Sequence, residues 1–241
     1  MKARLLLLSN SRSSDGAFLR WPKKAIQEFL TDRVREIHFL PHATLPATVA
    51  QYDSYTTRVR RAFADMGYGT VGLHETRDPA TALRNAEAIA VGGGNTFQLL
   101  AQLYEKRLLD IIVERVNSGV PYIGWSAGAN IACPTLATTN DMPIAQPPSF
   151  QALGLVPFQI NPHYTDAHPP GHQGESRAAR IAEFLLLNPT AVVIGLREGA
   201  LIQYEEGEMH IVGSARIFRA DGAAASPVGQ PSRAPKRRLS P

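Results

Sequence analysis

Apolar residues fall along this chain in short unbroken runs, separated by longer stretches in which they recur every three or four positions. The runs are Arg4–Leu8, Val34–Leu40, Thr70–His74, Ala88–Val91, Tyr122–Trp125, Leu155–Ile160 and Ala191–Leu196. Continuous leucine-rich or β-branched runs of this length suit strands buried on both faces of a sheet. The intervening stretches carry helix punctuation. Trp21-Pro22 places proline at a first helical position, and Asp78-Pro79 does the same with Asp78 as the N-cap. Gly67 and Gly119 fall where helices end. Glu175–Leu187 repeats Ala178, Ile181, Ala182, Leu185 and Leu186 at helical spacing. Strand alternating with helix predicts an α/β fold with a doubly wound, mostly parallel sheet. After Gly199 the pattern changes. Ala200–Tyr204 and Met209–Val212 flank Glu205-Glu206-Gly207-Glu208 as an antiparallel hairpin, and Arg216–Phe218 adds a further strand. With no repeat and no internal linker, the reading is one domain over residues 1–222 and a poorly ordered tail over 223–241.

Composition narrows the function classes. Of 241 residues, 44% are hydrophobic and 19% charged, which excludes disorder as the dominant state. One cysteine, Cys133, excludes a disulfide scaffold and a multi-cysteine zinc site, and it suits a reducing compartment. The net charge of +4 equals the charge of Arg233, Lys236, Arg237 and Arg238 in the acid-free stretch from Ser226. Residues 1–225 are therefore formally neutral, which argues against a nucleic-acid surface on the fold. The charged start Met1–Arg4 and the run Leu5–Leu8 stop at Ser9, short of the roughly 7–15 apolar residues of a secretory signal. No apolar stretch nears the roughly 18 residues of a membrane span. The expectation is a cytoplasmic protein with no membrane partner.

Chemistry concentrates where runs end. Gly124-x-Ser126-x-Gly128 directly follows an apolar run and precedes a small-residue helix start. That is the layout of a nucleophile elbow, in which small residues flank a sharp turn presenting the serine Oγ. Gly92-Gly93-Gly94-Asn95-Thr96 ends another run. It lacks a Walker lysine and the G-x-G-x-x-G spacing. An oxyanion hole built from the N–H groups of Gly93, Gly94 and Ala127 fits better, with a plain tight turn as the other reading. His163, in Asn161-Pro162-His163-Tyr164, is the best-placed base because it follows a run. His168, His172 and Glu175 have a spacing that resembles metal ligation, but Pro169-Pro170-Gly171 forbids the helix that would align them. No metal is expected. Two carboxylates could orient the base: Glu198, just after a buried run, and Asp141, in a polar loop. Cys133, two turns past Ser126, reads as a packed small residue.

These residues resemble the peptidase E family of α-aspartyl dipeptidases, serine peptidases on a flavodoxin-like scaffold related to class I glutamine amidotransferases. The resemblance rests on Leu5–Asn10, Val91–Leu100, Tyr122–Asn130, Thr138–Ile144, Gln159–His163, Gly171–Arg177 and Val193–Gly199, in family order along nearly the whole chain. It implies hydrolysis of dipeptides with an N-terminal aspartate, small peptide substrates, without cofactor, by a monomer or homodimer. It makes Ser126 the nucleophile and His163 the base. Glu198 matches the position of the triad carboxylate and Asp141 an aspartate also counted as catalytic. Glu198 is favoured for direct contact with His163. Arg177 and Glu175 are the candidate substrate-binding residues. A guanidinium at 177 suits the aspartate β-carboxylate, unless it is only a surface partner of Glu175. Three rivals stand beside this reading. An α/β-hydrolase esterase usually orders its triad serine, acid, histidine, unlike Ser126, His163, Glu198. A cyanophycinase-like peptidase would cut β-aspartyl linkages. A non-catalytic metabolite-binding module would need neither His163 nor Glu198.

Overall fold

The computed structural model describes residues 3–12, 15–167, 171 and 173–221. The first half alternates β1 (Arg4–Leu8), α1 (Lys23–Leu30), β2 (Glu36–Leu40), α2 (Val49–Ala64), β3 (Gly69–Gly72), α3 (Pro79–Arg84) and β4 (Ala88–Val91). Two helices, α4 (Thr96–Glu105) and α5 (Leu109–Asn117), lead to β5 (Tyr122–Trp125) and the one-turn α6 (Ala127–Asn130). Then come β6 (Gln159–Pro162), α7 (Arg177–Leu187), β7 (Val193–Leu196), β8 (Leu201–Glu205), β9 (Glu208–Val212) and β10 (Ala215–Phe218).

Seven strands form one sheet in the order β3-β2-β4-β5-β1-β8-β9. The five from β3 to β1 are mutually parallel, and β8 and β9 continue the sheet antiparallel, as the predicted hairpin. Burial follows the strand period of two. Leu5, Leu7, Ile89, Val91 and Tyr122 face one core with α4 and α5, while Leu6, Leu8, Ala88, Ala90, Ile123 and Trp125 face the other with α1 and α2. Both faces are covered, as unbroken apolar runs demand.

The sheet expected to hold every run is in fact two. β6 and β7 pair in parallel and β10 joins β7 antiparallel, giving a separate three-stranded sheet. The run from Leu155 becomes strand only at Gln159. Pro157 cannot donate to a ladder, so the buried Leu155, Val156 and Phe158 enter the core as loop residues. Thr70–His74 also ends early, at Gly72, because the Glu75 carboxylate accepts from the Gly72 N–H at 2.8 Å and closes a 3₁₀ turn over Leu73–Glu75. The helix expected from Glu175 starts at Arg177, capped by the Ser176 hydroxyl. Gly222 and the 223–241 tail lie outside the described residues. No described helix is long and apolar enough to cross a membrane.

Candidate active site

The carboxyl ends of β1, β4 and β5 converge on one edge, where parallel sheets place their chemistry. At the end of β5, Ser126 has φ 54° and ψ −114°, a conformation non-glycine residues rarely hold. Its glycine neighbours permit the turn. A Cβ on Gly124 would lie 2.3 Å from the Gly128 carbonyl oxygen, and one on Gly128 would lie 2.2 Å from that of Val91. The Tyr122 hydroxyl then donates to the Gly128 carbonyl at 2.7 Å, locking the elbow from below.

His163 follows β6 at φ 53°. Its Nε2 lies 3.1 Å from Ser126 Oγ, and its Nδ1 lies 2.8 Å from Glu198 Oε1. With a carboxylate at Nδ1, that nitrogen carries the proton and Nε2 accepts from the serine hydroxyl. The second sheet delivers both partners, since β6 ends at the histidine and β7 leads to Glu198. Ser9, at the end of β1, clamps that sheet to the main one. Its Oγ accepts from the His163 N–H at 2.9 Å and donates to the Leu196 carbonyl at 2.8 Å. Next to it, Asn10 Oδ1 accepts from the Gly199 N–H at 2.9 Å, fixing the loop that carries Glu198. From the other side, Asn130 Nδ2 and Asn140 Nδ2 donate to the Ile160 and Pro162 carbonyls, each at 2.8 Å. Sequence reasoning assigned none of these four a role. Their only signal was the family stretches they fall in.

Asp141 stands apart from His163. Its Oδ2 accepts from the N–H and the hydroxyl of Thr96, at 2.7 and 2.6 Å. It thus anchors the start of α4, directly behind the glycine turn. Within that turn the predicted oxyanion set needs correction at Gly93. The Gly93 N–H donates to Tyr55 Oη at 3.0 Å, which takes it out of the oxyanion set. Its glycine identity serves close approach instead, since a Cβ there would lie 2.9 Å from that of Ser126. Among the described residues, the N–H groups of Gly94 and Ala127 have no backbone or side-chain acceptor. Gly94, at φ 146° and pressed against Ala43, admits no other residue.

Tyr55 also accepts from Trp125 Nε1 at 2.7 Å, and burial pushes its hydroxyl up to about 12. Tyr55→Phe keeps the ring and strands both donors. It should cost about 1–3 kcal/mol of stability, the scale of unsatisfied partly buried N–H groups. An unchanged urea midpoint would show that water replaces the hydroxyl without cost.

Arg177 donates through Nη1 to the carbonyls of Pro162 and His163, beneath the imidazole. Burial, with the nearby Arg180 charge, holds its pKa below the usual arginine value, and the Glu198 carboxylate opposes only part of that shift. Glu175 is exposed and lies 4.0 Å from Arg180 Nε, not beside Arg177. His168 and His172 lie outside the described residues. Cys133 is buried, with its thiol pushed well up by desolvation, as suits a packed residue.

The sequence model of peptidase family S51 matches residues 5–212. The chain is 47% identical over 218 residues to a protein named Peptidase E from a Nostoc strain, covering 90% of this chain and 89% of that one. It is 47% identical over 215 residues to a Peptidase E of Haemophilus influenzae, covering 89% and 97%. A crystal structure of a putative peptidase E protein from Listeria monocytogenes shares the fold, with TM-score 0.66 and 24% identity over 88% of this chain and 98% of that one.

Proposed function

The chain belongs to peptidase family S51, and on that premise we propose that it is a serine dipeptidase that releases the N-terminal aspartate from Asp-Xaa substrates. The carrying observation is the unbroken line from Glu198 Oε1 through His163 to Ser126 Oγ, with steps of 2.8 and 3.1 Å, on a strained elbow. Each member has a chemical task. His163 Nε2 takes the Ser126 proton as Oγ attacks the scissile carbonyl. The N–H groups of Gly94 and Ala127 hold the developing oxyanion. The imidazolium, balanced by Glu198, then gives its proton to the leaving amine, and an aspartyl ester remains on Ser126. His163 next takes a proton from water, whose oxygen attacks the ester, and returns it to Ser126 as free aspartate leaves. These steps need no metal and no cofactor.

A panel of Xaa-Leu dipeptides tests the reading, with Asp-Leu expected to be turned over fastest by a wide margin. Turnover without preference for aspartate, or labelling by a serine-directed phosphonate at a residue other than Ser126, would overturn it. Cleavage of an aspartyl–arginine polymer in place of Asp-Leu would point to the β-aspartyl reading.

Specificity for aspartate requires a cation for the β-carboxylate, because a carboxylate leaving water needs a hydrogen-bonded counter-charge. Arg177 fills that role in this proposal, from its place beside the His163 carbonyl and the Glu198 carboxylate. Arg177→Met is expected to lower kcat/KM on Asp-Leu by about 30- to 1,000-fold and slow cleavage of Asn-Leu much less, the loss of a charge-assisted contact. Equal losses on the two substrates would mean that Arg177 only supports the His163 backbone.

A further inference from the structure

The helix α2 has two faces of different use. Tyr52, Thr56, Val59 and Phe63 are buried. Gln51, Ser54, Tyr55 and Arg58, spaced i, i+3, i+4 and i+7, line a cleft of about 260 Å³ that also holds Ser126 and His163. The opposite wall contributes Arg12. The cleft thus opens on the nucleophile and on the base that must protonate the leaving amine. Two of its lining residues are arginines and none is acidic.

Neither arginine is paired with a carboxylate among the described residues. The Arg12 guanidinium makes one hydrogen bond, from Nη1 to the Gly16 carbonyl at 3.2 Å, and the exposed Arg58 guanidinium makes none. Both lie close enough to Tyr55 to draw its hydroxyl's pKa downward against burial, and that hydroxyl is 3.0 Å from the Gly93 N–H behind Ser126. Two unneutralised guanidinium groups thus share a small cleft with a catalytic serine.

We propose that Arg58, assisted by Arg12, binds the free α-carboxylate of the leaving residue and thereby makes the enzyme selective for dipeptides. The proposal deepens the aspartyl dipeptidase reading and rests on it. An Asp-Xaa dipeptide carries two carboxylates. The β-carboxylate is assigned to Arg177, on the Glu198 side of the base. The leaving nitrogen must meet His163 Nε2, which faces the α2 cleft. The α-carboxylate carbon sits only about 2.5 Å from that nitrogen by standard backbone dimensions, so it enters the same cleft. A longer peptide would present a neutral amide there, with further chain to accommodate, and would forfeit the charge-assisted bonds.

The test compares the full-length wild type with Arg58→Met, Arg58→Lys and Arg12→Met. The substrates are the dipeptide the wild type cleaves fastest in the N-terminal panel and its C-terminal amide. The wild type should prefer the free acid. Arg58→Met should lower kcat/KM on the acid by about 30-fold or more, the scale of a lost charge-assisted pair, and change the amide by less than about 3-fold. Arg58→Lys should recover part of the preference, and Arg12→Met should show a smaller loss of the same kind. Equal losses on acid and amide, or a wild type indifferent to the amide, would overturn the proposal. A loss confined to substrates with N-terminal aspartate over asparagine would overturn it too, assigning Arg58 to the side chain. Absence of any aspartate preference in the wild type would sink the parent reading, while the acid-to-amide ratio would still judge Arg58. Arg12 and Arg58 are both exposed, so circular dichroism and melting should match the wild type in every variant.

Discussion

Ser126→Ala is expected to lower kcat/KM on Asp-Leu by about 10⁴-fold or more while leaving the fold intact, the scale on which a serine triad fails without its nucleophile. The side-chain change is confined to one atom. Among the described residues Ser126 Oγ has one hydrogen-bond partner, His163 Nε2 at 3.1 Å, and the backbone bond from Ser126 N to the Leu8 carbonyl survives substitution. Alanine bears the same positive-φ strain as serine, since both carry a Cβ. The oxyanion donors proposed on Gly94 and Ala127 remain, so residual hydrolysis of up to about 10³-fold over water is expected. Steady-state turnover should be read alongside a urea midpoint. Near-wild-type turnover in the folded variant would end the serine assignment. Unfolding would break only the premise that the elbow accepts alanine, and Ser126→Cys, which restores a nucleophile at the same Cβ, would then carry the question.

How far the sequence foretold this site depends on the range over which each part is decided. The elbow is local: Gly124, Ser126 and Gly128 lie within one strand-to-helix turn, so their spacing alone predicts its sharp geometry. The placement of His163 and Glu198 at the same edge was legible for a similar reason, each following an apolar run that ends there. The division into two sheets was not legible. Runs buried on both faces look alike in either sheet, and the hydrogen bonds by which Ser9 joins the sheets reach His163 and Leu196 across 154 and 187 residues. The α2 face was hidden as well, because Tyr55 gains meaning only when β4 and β5 bring Gly93 and Trp125 against it, and Arg58 only through the cleft it then shares with Ser126. Gly93 and Gly94 could not be told apart in sequence. Which N–H is left free follows from the tyrosine hydroxyl opposite one and the φ of 146° at the other.

Glu198→Gln should cost about 10³-fold in kcat on Asp-Leu, approaching the ~10⁴ of an amidated triad acid, and Asp141→Asn about 10-fold or less. The ranking follows from what each carboxylate touches. Glu198 Oε1 receives the His163 Nδ1–H at 2.8 Å and, in the proposed mechanism, balances the imidazolium that forms in both halves of the reaction. An amide there offers an N–H that favours the wrong tautomer and supplies no charge. Glu198 is largely exposed, at 65%, so water partly screens the loss and the full penalty is not expected. Asp141 never reaches the imidazole. Its two bonds to Thr96 hold the start of α4, and through it the turn presenting Gly94. Asparagine keeps one acceptor oxygen, so the oxyanion donor shifts little. The two variants should separate again in stability. Asp141→Asn weakens two charge-assisted bonds in a half-buried loop and should lose about 1–2 kcal/mol in a urea titration, whereas Glu198→Gln should stay near wild type. If Asp141→Asn instead costs more turnover than Glu198→Gln, the turn it anchors must move on substrate binding to bring Asp141 to His163, and Glu198 loses its place in the triad.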